Sequence, residues 1–147
     1  MKKTLLTLAT AAALTAGLTA TANACSYSTF EVEGNAFVSR TMEAPDFMGE
    51  HLVTVPRGYE INGKSGEHGF VGMRHADTEW ISSGLNEHGV NIESLALLES
   101  SYVEEGQGDI NYLEVAGHVL ANAKSVGDAV ELLKKNKSRN DQNKSSS

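Results

Sequence analysis

Cysteine is nearly absent from this chain of 147 residues, and Cys25 is the only one. A single thiol closes no loop within the chain, so an internal disulfide framework is excluded. The thiol is left for intermolecular pairing, lipid attachment or reaction. Long apolar runs are also lacking. The stretch from Leu5 to Ala20 is rich in Thr and falls short of the roughly 20 apolar residues that a membrane-spanning helix needs. Basic residues are outnumbered: 12 Lys and Arg against 19 Asp and Glu leave a formal net charge of −7. With no Lys/Arg cluster on so acidic a surface, nucleic acid and an anionic membrane surface are not expected partners. The histidines (His51, His68, His75, His88 and His118) show no ligand spacing such as H-x-x-x-H. The scattered glycines Gly58, Gly63, Gly66, Gly69 and Gly72 match no phosphate-binding loop. No cofactor and no metal are therefore expected.

What is present begins with Met1-Lys2-Lys3, the apolar run, and then Ala22-Asn23-Ala24. This is the pattern of a signal peptide over residues 1–24, cut after Ala24. Export to a bacterial periplasm or to the medium is expected. The cut makes Cys25 a free N-terminus, with a thiol and an amine on one carbon. Their ordinary pKa values are about 8.5 and about 7.7–8.0, so a neutral amine is at hand to take the thiol proton. Nucleophile and base are then one residue, the logic of the Thr–N-terminal amine pair. An alternative is acylation of Cys25, which would make the protein a lipid-anchored binding module. A lipoprotein signal usually places Leu three residues before the cysteine, where this chain has Ala22. Roughly 120 residues would remain, enough for one modest domain.

Along that domain, Ser26 to Val32 reads as a strand, Glu33-Gly34-Asn35 as a tight turn, and Ala36 to Met42 as the returning strand. The return brings Arg40 and Glu43 beside the Cys25 end. Further strands are expected at His51–Val55 (ended by Pro56), Tyr59–Ile61, Phe70–Arg74, Thr78–Ile81 and Val90–Glu93, with an apolar run at Leu95–Leu98. Asn62-Gly63 and Gly84 to Gly89 read as turns, and the whole as a β-meander. Phe70 and Trp80 are expected in the core. The pattern then turns helical. Asp109 is expected to cap a helix reaching Ala123, with Leu113, Ala116, Val119 and Leu120 at helical spacing. Ser125-x-x-Asp128 opens a second helix, whose last turn holds Lys134, Lys135 and Lys137. Residues 138–147 form a polar tail expected to be disordered. Strands followed by helices make an α+β class.

Cys25 at the cut, Ser39-Arg40-Thr41-Met42-Glu43, Val55-Pro56-Arg57 and Gly84-Leu85-Asn86-Glu87-His88-Gly89 occur in the order of the choloylglycine hydrolase and penicillin V acylase family, which the chain resembles from Cys25 to about Lys137. The resemblance implies an N-terminal nucleophile (Ntn) hydrolase and part of its αββα sandwich. It implies hydrolysis of a linear, non-peptide amide, with conjugated bile salts, penicillin V or acyl-homoserine lactones as substrates. Cys25 matches the nucleophile and Arg40 the arginine beside it. Glu43 stands where the family usually has Asp. Ala96 stands where some members carry an Asn or Tyr that lines the site. Family members continue into further strands and helices that carry an active-site Asn and Arg. An incomplete, weakly active or inactive member is therefore expected, prone to pair with itself or with other chains.

Overall fold

A computed structural model of the chain describes residues 25–43, 49–61, 63–95, 101, 108–136 and 138–139. The expected signal segment, the position of Ala96 and residues 140–147 lie outside them. The described chain is α+β. The first two strands, β1 (Ser26–Val32) and β2 (Asn35–Thr41), form an antiparallel hairpin of their own. Its turn is Glu33-Gly34, both at positive φ (52° and 78°), the two-residue geometry whose twist matches that of the flanking strands. Gly34 takes this conformation without cost, whereas Glu33 brings a Cβ into it.

The main sheet has four antiparallel strands in the order β3 (Glu50–Val55), β6 (Phe70–His75), β7 (Ile81–Asn86) and β8 (Asn91–Glu93). A small hairpin of β4 (Glu60–Ile61) and β5 (Lys64–Ser65) is inserted between β3 and β6. The strands thus form separate sheets rather than one continuous meander. Two sequence readings shift within the main sheet. Thr78 lies in a turn, where its Oγ1 donates to the His75 carbonyl at 2.6 Å and accepts from the Trp80 N–H at 3.2 Å. Side-chain bonds of this local kind compete with a strand ladder. Gly84, Leu85 and Asn86, expected in a turn, instead complete β7, and the turn proper is Glu87 to Gly89.

Strand alternation gives the sheet two unlike faces. Phe70 and Ile81, with Val53, Val55 and Ile92 beside them, pack on helix α1 (Val115–Asn122), where Leu120 is completely buried. Gly84 allows this close approach. A Cβ there would stand 2.5 Å from Leu120 Cδ1 and 2.8 Å from the Val71 carbonyl. The opposite face carries Leu52, Val71, Met73, Ser83, Leu85, Asn91 and Glu93, and looks across a groove at the hairpin.

Helix α1 starts six residues after the expected cap. Asp109 does not cap it, because Ile110 and Asn111 form a short strand, β9, with Ile110 buried. The chain enters the helix through a tight turn. Asn111 Oδ1 accepts from the Leu113 N–H at 3.0 Å, and Glu114 Oε2 accepts from the Asn111 N–H at 3.3 Å. These two bonds order the turn, while Glu114, the N-cap residue of the helix, makes no side-chain cap bond. Helix α2 (Val126–Lys135) begins where the sequence indicates. Ser125 Oγ accepts from the Asp128 N–H at 3.1 Å, and Lys134 and Lys135 occupy the last turn. Its inner residues Ala129 and Leu132 close over Val90, Val119 and Ala123. The backbone of β10 (Ser138–Arg139), within the expected polar tail, pairs in parallel with β9.

Candidate active site

Pairing of β1 with β2 sets Tyr27 opposite Arg40 and Ser26 opposite Thr41. Cys25, half-buried, precedes β1 by one residue. Continuing the strand's alternation returns Cys25 to the side of Tyr27 and Arg40, a diagonal neighbour of Arg40. Such neighbours are roughly 7–8 Å apart between Cα atoms. That side of the hairpin faces the main sheet, since the Tyr27 hydroxyl donates to Asn91 Oδ1 at 3.4 Å.

Arg40 is the anchor between the two layers. Its side chain is only 12% exposed. Nη2 donates to Ser82 Oγ at 2.9 Å, and Nε stands 3.0 Å from Glu93 Oε2. Ser82 reaches this position through a β-bulge. Met73 pairs with Ser83 but Arg74 pairs with Ile81, so Ser82 is the extra residue. Bulges re-aim side chains in this way. Glu93 is held in turn by Ser83 Oγ at 3.0 Å and Asn91 Nδ2 at 2.9 Å. A second carboxylate, Glu50, lies 3.9 Å from Arg40 Nη2 and 3.2 Å from His75 Nε2. His75 is buried and stacked on Trp80, with ring centroids 3.8 Å apart. Burial pushes its pKa below the ordinary imidazole value; Glu50 opposes that shift and Arg40 adds to it.

The other expected residues stand apart from this network. Glu43 is exposed just beyond β2. Among the described residues, no hydrogen bond or ion pair joins Cys25 to Arg40 or Glu43. Ser82, Asn91 and Glu93 are the site residues that sequence reasoning missed. For the last two, the alternation of Val90 to Glu93 carried a signal, since it sets Asn91 and Glu93 on the face opposite Ile92. Between hairpin and sheet the groove encloses about 430 Å³. Val38, Leu52, Val71 and Leu85 give it apolar walls, and Arg40 and Glu93 its charged part.

The turn expected from Gly84 to Gly89 does more than reverse the chain. Asn86 is buried, and its Nδ2 donates to the carbonyls of Leu120 (3.0 Å) and Ala123 (2.7 Å) at the end of α1. Its Oδ1 accepts from the His88 and Val90 N–H groups, both at 3.0 Å. Both side-chain donors and both acceptor positions are therefore used. Glu87 forms a forked ion pair with Arg57 and accepts from the Gly69 N–H at 2.9 Å. The Arg57 hydrogen bonds, and then the Gly69 N–H, lower the Glu87 pKa to about 2. His68, Glu87 and His88 bring one ligand atom each within 4.8 Å of one another. Their sequence spacing shows no such set, because two separate loops supply it.

Comparison with known proteins adds one result to this geometry. Residues 25–147 match the profile of the linear amide C–N hydrolases, choloylglycine hydrolase family. No curated protein gives a significant match.

Proposed function

From the chain's membership of the choloylglycine hydrolase family of linear amide C–N hydrolases, we propose that Cys25, freed by cleavage after Ala24, is the nucleophile. Arg40 and Glu43 are its partners in setting charge. The observation that supports this reading is the β1–β2 register, which pairs Tyr27 with an Arg40 already fixed in place; continued by alternation to Cys25, it would make the thiol a diagonal neighbour of that arginine. A guanidinium held by Ser82 and Glu93 cannot swing to follow solvent. It stays fixed, compensated by Glu93, at the end of the hairpin from which Cys25 leads.

In the proposed step the Cys25 amine takes the thiol proton and the sulfur attacks the amide carbonyl. The C–N bond then breaks, and the leaving nitrogen takes the proton back from the ammonium. An acyl-thioester remains. Water attacks it, releases the acid and restores the thiol. Arg40 acts as an electrostatic positioning residue. The groove beside it suits an amide whose acyl part is apolar and bulky or long. Conjugated bile salts, penicillin V and acyl-homoserine lactones all meet that description, and an exported bacterial protein would meet the last two most readily.

The test is to express the full chain with export and determine the mature N-terminus by intact mass. Turnover of the three substrates is then measured for the parent and for Cys25→Ala. Mass loss corresponding to residues 1–24, with turnover only in the parent, supports the reading. A diacylglyceryl adduct on Cys25, or equal turnover in Cys25→Ala, overturns it.

A further inference from the structure

The loop leading into β6 and the turn after β7 meet at one end of the sheet, and we infer that His68, Glu87 and His88 there form a binding site for a divalent transition ion of the zinc class. The site is separate from the groove. Ser82 contacts Arg40 near the start of β7, whereas Glu87 follows its last residue. Five residues of strand place them roughly 16 Å apart.

The donor geometry fits the ion. His68 Nδ1 and His88 Nε2 are 3.3 Å apart. Zinc binds imidazole nitrogen at about 2.0–2.1 Å, so two nitrogens on one tetrahedral zinc stand about 3.3–3.4 Å apart. Glu87 Oε1 lies 3.9 Å from His68 Nδ1, and all three ligand atoms lie within 4.8 Å of one another, so the carboxylate would draw in by about half an ångström toward His68 and the Glu87–His88 edge by up to about 1.5 Å. The two rings are set nearly perpendicular, at 81°, with centroids 4.4 Å apart, so the exposed His88 ring would turn to aim its lone pair at the ion. Two imidazoles and one carboxylate select zinc-like ions over magnesium or calcium, which prefer all-oxygen shells.

The surrounding groups hold the donors in place. His68 is buried, so its ring is fixed by packing. The His88 backbone N–H is tied to Asn86 Oδ1. Arg57 Nη2 and Nε hold Glu87 Oε2, and the Gly69 N–H orients Oε1 beside His68. Oε1 also accepts from Arg57 Nε at 2.8 Å, so a carboxylate with about four lone-pair positions takes the ion only when that N–H turns wholly to Oε2. Three protein ligands leave a fourth position for water on the exposed side. Bound there, the ion would clasp the β5–β6 connection to the β7–β8 turn and reinforce the Asn86 anchor.

The experiment uses the full chain, freed of metal by chelation, and titrates it with zinc or cobalt(II) alone. Calorimetry should give about one equivalent of zinc bound, and cobalt should give the visible absorption of a tetrahedral site. His88 is exposed, so His88→Ala should keep the fold by circular dichroism, weaken binding by about tenfold or more, and lose the cobalt band. Cys25→Ser should bind like the parent, because the thiol takes no part. Zinc should raise the melting temperature of the parent but not that of His88→Ala. No binding by the parent at millimolar metal overturns the site. Equal binding by parent and His88→Ala, or loss of binding in Cys25→Ser, also overturns it.

Discussion

Arg40 joins the hairpin to the main sheet, and the proposed mechanism adds a chemical role to that architectural one. The arginine compensates Glu93, which is almost fully buried, and lies close to Glu50. Removing one member of a buried ion pair leaves the other charge unpaired. Arg40→Gln should therefore cost about 3–5 kcal/mol of stability in addition to activity. Urea unfolding and hydrolysis measured on one preparation separate the two losses. If Arg40→Gln unfolds like the parent, Arg40 does not anchor the layers. At Cys25 the expectation is purely chemical. Cys25→Ala should abolish hydrolysis and Cys25→Ser should retain a small part of it, since a hydroxyl is the weaker nucleophile at neutral pH. Asn86 is purely architectural. Asn86→Ala removes four hydrogen bonds and strands carbonyls at the end of α1, so a loss of about 2–4 kcal/mol is expected by the same unfolding measurement.

Among the elements, β7 and α1 are the pair that sets the geometry. Their contact depends on Gly84, where a methyl group would meet both Leu120 and the Val71 backbone. Gly84→Ala should destabilise by about 1–3 kcal/mol, or more if the helix must move. A melting temperature equal to that of the parent would show that α1 shifts freely. The local signals differed in how well they could be read. Helix α2 was legible because Ser125 and Asp128 bond to neighbours in the chain. The start of α1 is not legible, because Asp109 has the form of a cap while the strand β9 and the turn bonded through Asn111 delay the helix to Val115. The hairpin β1–β2 was legible from its turn. The part of β7 after Ile81 was not, because Ser82-Ser83-Gly84 has little β-propensity and is a strand only by pairing with β6 and β8.

For the whole molecule, two properties follow from burial. Burial pushes the pKa of His75 and of His118 below the ordinary value, with Lys64 adding to the effect at His118. Between the folded value and the ordinary value of about 6.5, the unfolded chain binds more protons than the folded one. Stability from this source is therefore complete above about pH 6.5 and is lost as pH falls through the folded values. The melting temperature should drop on going from about pH 7.5 to about pH 5.5, and drop less in His118→Gln. A flat profile would contradict this. The second property is the uncovered apolar surface. Leu52 on the outermost strand β3 is 72% exposed, and Phe30, which stacks on Phe37, is 52% exposed. Apolar patches of this kind favour association. Light scattering after gel filtration should show oligomers that Leu52→Lys reduces, and a monodisperse parent monomer would remove the expectation.

Features that depend on neighbours along the chain are legible without the fold. They include the α+β order of elements, the hairpin turn, the cap of α2, and the motif order that pointed to the family before the profile match. Tertiary structure alone decided which distant residues share a site. Arg40 meets Ser82 and Glu93 because a bulge re-aims one side chain and two sheets face each other across a groove. His68 meets Glu87 and His88 because two loops end at the same edge. Hydrogen-bonded turns and caps span a few residues and leave a local pattern. Packing joins positions dozens of residues apart, and no local spacing records which of them will touch.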